Sequence, residues 1–277
     1  MHGILQVCCP DQRGLVAKIS QFVHQWGGNI VHADHHLDEG LFLSRLEWEL
    51  AGFGLSPAAT RREFALLAQA LAAQWSYHTS DERPKIAIFV GKQSHCLWDL
   101  IWRYQAGELP GEIAFIVSNH QECAPIAAQF HIPYHYIPTQ DKGQAEKQQL
   151  ALIQTHQIEL VILAKYMQIL SPEFLAQCPP VINIHHSFLP AFPGANPYQR
   201  AHQRGVKIIG ATAHYVTPEL DAGPIIEQDV VRVSHRDTVA DLIRQGRDVE
   251  RQVLARAVRW HLERRVLVYH NKTVVFA

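Results

Sequence analysis

Cysteine is scarce in this chain. Five of its 277 residues, Cys8, Cys9, Cys96, Cys123 and Cys178, are cysteines, an odd number with no C-x-x-C pair. Two of them are adjacent, which makes a poor disulfide framework. A reduced, cytoplasmic protein that uses its thiols as small apolar residues is expected. Neither sign of charge is in excess: 25 Lys and Arg face 26 Asp and Glu, for a formal net charge of −1. Without a basic block, no nucleic-acid or membrane surface is expected. Arginine is denser between Arg247 and Arg265, but Glu250 and Glu263 interrupt it, and the stretch reads as a solvated helix face. The apolar runs carry a lysine or a turn and are too short to span a bilayer. The N-terminus lacks the charged and apolar regions of a signal peptide. There is no internal repeat, no low-complexity segment and no G-x-S-x-G elbow, so Ser187 reads as a loop cap.

What is present is enough apolar material, 47% of the chain, for two domains. Over residues 1–80 the pattern predicts strand 3–9, helix 15–26, strand 29–36, strand 41–51, helix 57–74 and a last strand at 76–79. This β-α-β-β-α-(β) order is a ferredoxin-like unit. Residues 81–84 are a polar linker ending in proline. From 85 to 277 the pattern changes. Short apolar strands at 86–90, 113–117, 134–137, 160–164 and 181–184 alternate with helices at 95–104, 122–130, 144–156 and 172–178. That alternation predicts a mostly parallel, Rossmann-like sheet covered on both faces. Two longer strands, 208–216 and 225–233, form a hairpin, followed by a helix over 238–263 and a short closing strand.

Ligands of open α/β sheets sit beyond the carboxyl ends of the strands. Asn183 and His185 lie at such an end and, two residues apart, point the same way. An amide and an imidazole there are able to hold a carbonyl oxygen as it becomes negative, an effect worth roughly 3–4 kcal/mol per donor. Asp221, in the turn PELDAGP, is the carboxylate best placed to orient the imidazole or a water. An Asn-x-His at a strand end serves equally well to close a loop. Lys165 faces either an acid of the ligand or an internal carboxylate. His32, Asp34 and His36 alternate on one strand and invite a metal reading, but a wet outer face accounts for them better, and no metal site is expected.

The string NIHHSFLPAFPG, followed by GATAHYVTPELDAGPII, closely resembles the superfamily of formyl-tetrahydrofolate hydrolases and formyltransferases, from about Lys85 onward. The resemblance implies a catalytic trio of Asn183, His185 and Asp221. LVILAKYMQILSPEF resembles the segment that lines the family's pterin cleft, which maps folate contacts onto Met167, Ile169 and Leu170, with Val216 and Leu220 from the later loop. Three features favour the hydrolase branch. The loop after the first strand of this half, GKQSHCLWDLI, is too bulky for the phosphate nest that ribonucleotide transferases carry there. His186 stands where those transferases have proline. Residues 1–80 resemble an ACT regulatory domain. The resemblance therefore implies hydrolysis of 10-formyltetrahydrofolate to formate and tetrahydrofolate without a cofactor. It also implies effectors such as glycine or methionine at Asp11, Gly14, Leu15 and Asn29, and a homo-oligomer through the ACT units. Two rival readings are a formyltransferase to an amine such as glycinamide ribonucleotide, and a catalytically inactive folate or amino-acid sensor.

Overall fold

The computed structural model describes residues 1–191 and 197–276. Phe192, Pro193 and Gly194 of the string above lie outside the described residues. The chain divides into two compact units, Met1–Glu82 together with Glu263–Ala277, and Arg83–Leu262.

The first unit runs β1 (His2–Pro10), α1 (Leu15–Gln25), β2 (Asn29–Asp38), β3 (Leu41–Glu49), α2 (Pro57–Ala70) and β4 (Gln74–Thr79). Its sheet order is β2-β3-β1-β4, with every neighbouring pair antiparallel, as a ferredoxin-like unit requires. In α1 the buried residues are Leu15, Ile19, Phe22 and Val23, one stripe at helical spacing. In α2, Pro57 opens the helix and the Ser56 side chain accepts from the Ala59 N–H, a proline-assisted cap. Both helices bury their stripes against Leu5, Val7, Leu46 and Trp48.

The chain returns to this unit at its end, where β12 (Val266–Tyr269) and β13 (Lys272–Val275) form a hairpin. Leu267, Tyr269 and Phe276 bury with Leu43 of β3. The Arg45 Nε–H donates to the Arg264 carbonyl at 2.9 Å, and the Tyr269 hydroxyl donates to Asp38 at 2.8 Å. Here the structure differs from the sequence reading, which placed residues up to 277 in the second domain. Sequence adjacency to the long helix suggested that placement, but apolar contacts tie the hairpin to β3.

The second unit runs β5 (Lys85–Val90), α3 (His95–Gln105), β6 (Glu112–Ser118), α4 (Ala124–Gln129), β7 (Tyr134–Tyr136), α5 (Lys142–His156), β8 (Leu160–Ala164), α6 (Pro172–Leu175), β9 (Val181–His185), α7 (Pro197–Arg204), β10 (Ile208–Tyr215), β11 (Ile225–Arg232) and α8 (Val239–Leu262). The sheet order is β11-β10-β9-β8-β5-β6-β7. Strands β9 through β7 in that order are parallel, while β10 and β11 are antiparallel. Every residue of β8 is buried, as expected of a central strand covered on both faces. The order reverses at β5, which has β8 on one side and β6 on the other, and a crevice opens at such a point beyond the strand ends.

Candidate active site

The strand ends next to that crevice deliver the side chains. β8 ends at Ala164 and leads into Lys165–Leu170, while β9 ends in Asn183 and His185. β10 runs antiparallel to β9, and its register sets His214 opposite Asn183. The turn between β10 and β11 carries Asp221. It is drawn so tight that a side chain on Gly223 would collide with the Tyr215 carbonyl oxygen, and glycine is the residue that fits there.

Asn183, His185 and Asp221 line one cleft. His185 Nδ1 lies 3.2 Å from Asp221 Oδ2. His185 is 5% exposed, and its Nε2 has no hydrogen-bond partner among the described residues. One ring nitrogen is thus held by a carboxylate while the other is left for a reacting group. The hydrogen bond from His185 keeps the Asp221 carboxyl below its usual range, and the neighbouring imidazoles add to this against the effect of burial.

His214 is a fourth member that the sequence reading missed. Its Nδ1 donates to the Tyr215 carbonyl at 2.9 Å, which leaves Nε2 as an acceptor for the Asn183 amide at 3.2 Å. Burial lowers the His214 pKa and so favours this neutral form. One amide hydrogen of Asn183 is therefore committed to His214, and the other remains for a ligand oxygen. The signal in the sequence was a lone imidazole in the otherwise small, apolar run GATAHY.

The five expected folate contacts line the same cleft. Met167 (68% exposed), Ile169 (60%) and Leu220 (59%) present apolar surface to it, while Leu170 is buried at its base. Lys165, Met167 and Asp221 hold φ values of 61°, 58° and 55°, the left-handed region that non-glycine residues seldom occupy. Strain of this kind gathers where a backbone is held for function.

At one end of the cleft stands a buried ion cluster. Lys165 Nζ lies 3.4 Å from Glu250 Oε2, so its partner is an internal carboxylate. His95 Nε2 lies 2.7 Å from the same oxygen, and the Tyr198 hydroxyl donates to Oε1 at 2.7 Å. Glu250 is 1% exposed, which corrects the solvated-face reading of that stretch: it sits on the inner face of α8 with Gly246 and Val253. Burial alone would raise its pKa, yet His95, Lys165 and Tyr198 bring it down to about 2. Among the described residues His95, Cys96 and Glu250 form the group whose metal-type donor atoms lie within 4.8 Å of one another. The Lys165 ammonium already supplies the positive charge there, and burial pushes the Cys96 thiol well up, away from the thiolate that a metal requires. His186 stacks on His185 with ring centres 5.0 Å apart. Burial, Lys165 and His185 bring its pKa down to about 4.

In the first unit the four expected effector residues are placed as follows. Asp11 is exposed, and its N–H donates to the Gly40 carbonyl at 2.8 Å. Gly14 precedes α1 with φ of 85°. The Leu15 side chain is in the core, and the Asn29 amide donates to Glu49 at 2.9 Å. His32, Asp34 and His36 are exposed along β2.

The formyl transferase family matches residues 84–258, a span that holds the whole cleft, and the second unit is a formyl transferase domain. A formyltetrahydrofolate deformylase of Synechocystis sp. is 60% identical over 100% of this chain and 99% of its own length. The crystal structure of a formyltetrahydrofolate deformylase from Pseudomonas syringae pv. tomato superposes with a TM-score of 0.96 at 46% identity, covering 100% of this chain and 95% of that one. A glycinamide ribonucleotide transformylase from Symbiobacterium toebii matches at a TM-score of 0.68 and 26% identity over 73% of this chain and 97% of its own. The chain belongs to the formyltetrahydrofolate deformylases.

Proposed function

We propose that this protein hydrolyses 10-formyltetrahydrofolate to formate and tetrahydrofolate with Asn183, His185 and Asp221, and with no cofactor or metal. The observation that carries the reading is the single cleft in which these three side chains meet the apolar wall of Met167, Ile169, Leu170, Val216 and Leu220. A pterin ring fits such a wall, and its N10-formyl group then lies at the polar end. The free hydrogen of the Asn183 amide and a protonated His185 Nε2 hold the carbonyl oxygen. Asp221 orients His185 and a water. Its lowered pKa makes it a weak base, so positioning is its larger role. The water oxygen bonds to the formyl carbon as one of its protons passes to the Asp221 carboxylate, and the C=O electron pair moves onto oxygen and is held there. As the carbonyl reforms, the C–N10 bond breaks with its pair going to N10. His185 protonates N10, and formate leaves.

The first unit is read as an ACT regulatory domain. Glycine or methionine would bind near Asp11, Gly14, Leu15 and Asn29, and the exposed edge strand β2 supports pairing between copies in a homo-oligomer. A cytoplasmic location fits the free cysteines.

The test is formate release from 10-formyltetrahydrofolate with no amine acceptor present. Wild type is expected to turn over. His185→Ala is expected to lose most activity while its far-UV spectrum is unchanged. Near-normal release by that variant would reject the assignment.

A further inference from the structure

A hydrolase of this class has to keep amines away from a formyl carbon that water attacks. Around His185 the cleft has two unlike flanks. One is the apolar wall of Met167, Ile169 and Leu220; the other is formed by Lys165 and His186. Behind the second flank stands a row of side chains, and His186 and Tyr198 part the cleft from a second cavity of about 150 Å³. His186 stacks on His185, the Tyr198 ring follows with its centre 6.2 Å from that of His186, and the Tyr198 hydroxyl ends on Glu250.

The pieces of this plug come from four elements. His95 is the first residue of α3, Lys165 follows β8, Tyr198 belongs to α7 and Glu250 to α8. His95 Nε2, Lys165 Nζ and the Tyr198 hydroxyl all meet the one carboxylate. The Gly91 N–H, the first backbone donor beyond β5, is spent on the Lys165 carbonyl at 3.2 Å, so this loop offers it to no external anion. Tyr198 lies in a notch over α8 where Gly246 has no side chain; a Cβ there would collide with its hydroxyl. A buried ion cluster resists the loss of any one member, because that strands a charge out of water.

We infer that the Glu250–His95–Lys165–Tyr198 cluster, with His186 in front of it, determines reaction specificity: it fills the flank by which an amine-bearing second substrate would reach the formyl carbon, and leaves room for water. The inference rests on the hydrolase reading and deepens it. The S. toebii transformylase has the same scaffold, so the scaffold does not choose between water and an amine, and side chains must. A water takes up about 30 Å³, and an amine on a carbon chain needs several times that. In transfer, the amine nitrogen pair bonds to the formyl carbon, the C–N10 pair returns to N10 with a proton from the amine, and an N-formyl amine leaves. Only the nucleophile differs from hydrolysis, so control of its access is enough to set the outcome.

The experiment uses the full chain, 10-formyltetrahydrofolate and glycinamide, and measures formate and N-formylglycinamide together. The variants are Lys165→Gly, which also relieves the left-handed backbone there, Tyr198→Ala, and Gly246→Ala, which removes no cluster side chain but displaces Tyr198. Wild type is expected to give formate alone. N-formylglycinamide is expected to appear in Lys165→Gly and Tyr198→Ala at roughly tenfold or more above the wild-type assay background, relative to formate, and to move in the same direction in Gly246→Ala. An unchanged ratio in any variant that still releases formate overturns the inference and leaves the hydrolase reading intact. So does loss of formate release without any gain of transfer in a folded variant, since the cluster would then belong to the hydrolytic machinery. If one substitution prevents folding, the other two decide. Wild type that releases no formate in the absence of glycinamide overturns the hydrolase reading, and the inference falls with it.

Discussion

The Asn183 amide donates to His214 Nε2 at 3.2 Å, across the register pair that joins β9 to β10. Nδ1 of the same imidazole is tied to the Tyr215 carbonyl, so its acceptor nitrogen cannot turn away. The amide that meets the substrate is therefore aimed by a residue on the next strand.

His214 is predicted to act through Asn183. His214→Ala should lower kcat about 10–100-fold with little change in KM, because the amide becomes free to rotate while the apolar wall is untouched. Asn183→Ala should cost about 10²–10³-fold, the usual loss for an oxyanion donor. The double variant should be little worse than Asn183→Ala. Additive losses in steady-state formate assays would mean that the two act independently.

The apolar wall separates binding from stability. Leu220 is 59% exposed and Leu170 is 6% exposed, yet both face the cleft. Leu220→Ser should raise KM about tenfold and leave the unfolding midpoint in place, since exposed substitutions rarely shift stability beyond ~0.5 kcal/mol. Leu170→Ala should cost about 2–4 kcal/mol by leaving a cavity. Thermal unfolding beside KM measurements checks both.

Much of this architecture can be read in the sequence, and the exceptions share a cause. β8 is legible to the residue because a strand buried on both faces is one unbroken apolar run, LVILA. α7 escapes notice because PYQRAHQR is only eight residues long and mostly polar, with Pro197 and Ala201 as its buried residues. Asn183, His185 and Asp221 are legible as a recurring motif. His214 is not, because its role depends on strand register. Glu250 did leave a signal: it lies four residues after Gly246 and three before Val253 on the buried face of α8, where the helical period asks for an apolar side chain. Its arginine neighbours disguised it as surface. The hairpin of β12 and β13 shows no partner in sequence because β3, which it covers, is more than 200 residues away.

His186 is predicted to cost the protein stability as the pH falls below 6.5. Its neighbours are Lys165, His185, Glu250 and Asp221, and its pKa in the fold is brought down from 6.5 to about 4. As pH falls below 6.5 the unfolded chain takes a proton at this residue while the native one does not. The unfolded state then binds more protons, and stability falls with pH until about 4, where the native residue is protonated too. The loss from this residue is about 2–3 kcal/mol. His186→Asn should flatten the slope of unfolding free energy between pH 6.5 and 4, measured in urea. An unchanged slope would show that His186 is not the group responsible.

The closing hairpin offers a sharp check on how the chain is divided. Leu267 is 8% exposed and packs with Leu43, Tyr269 and Phe276 in the first unit. Leu267→Asp puts an unpaired carboxylate into that cluster, at a cost of about 3 kcal/mol or more. The damage should be local. Hydrogen exchange read by mass spectrometry should speed up in peptides from β1 and β3, whose sheet loses its cover, and stay slow in peptides from β8 and β9. Were the hairpin a part of the second unit, as its place in the chain after α8 suggests, faster exchange would appear in the central strands of that unit, and β1 and β3 would be unaffected.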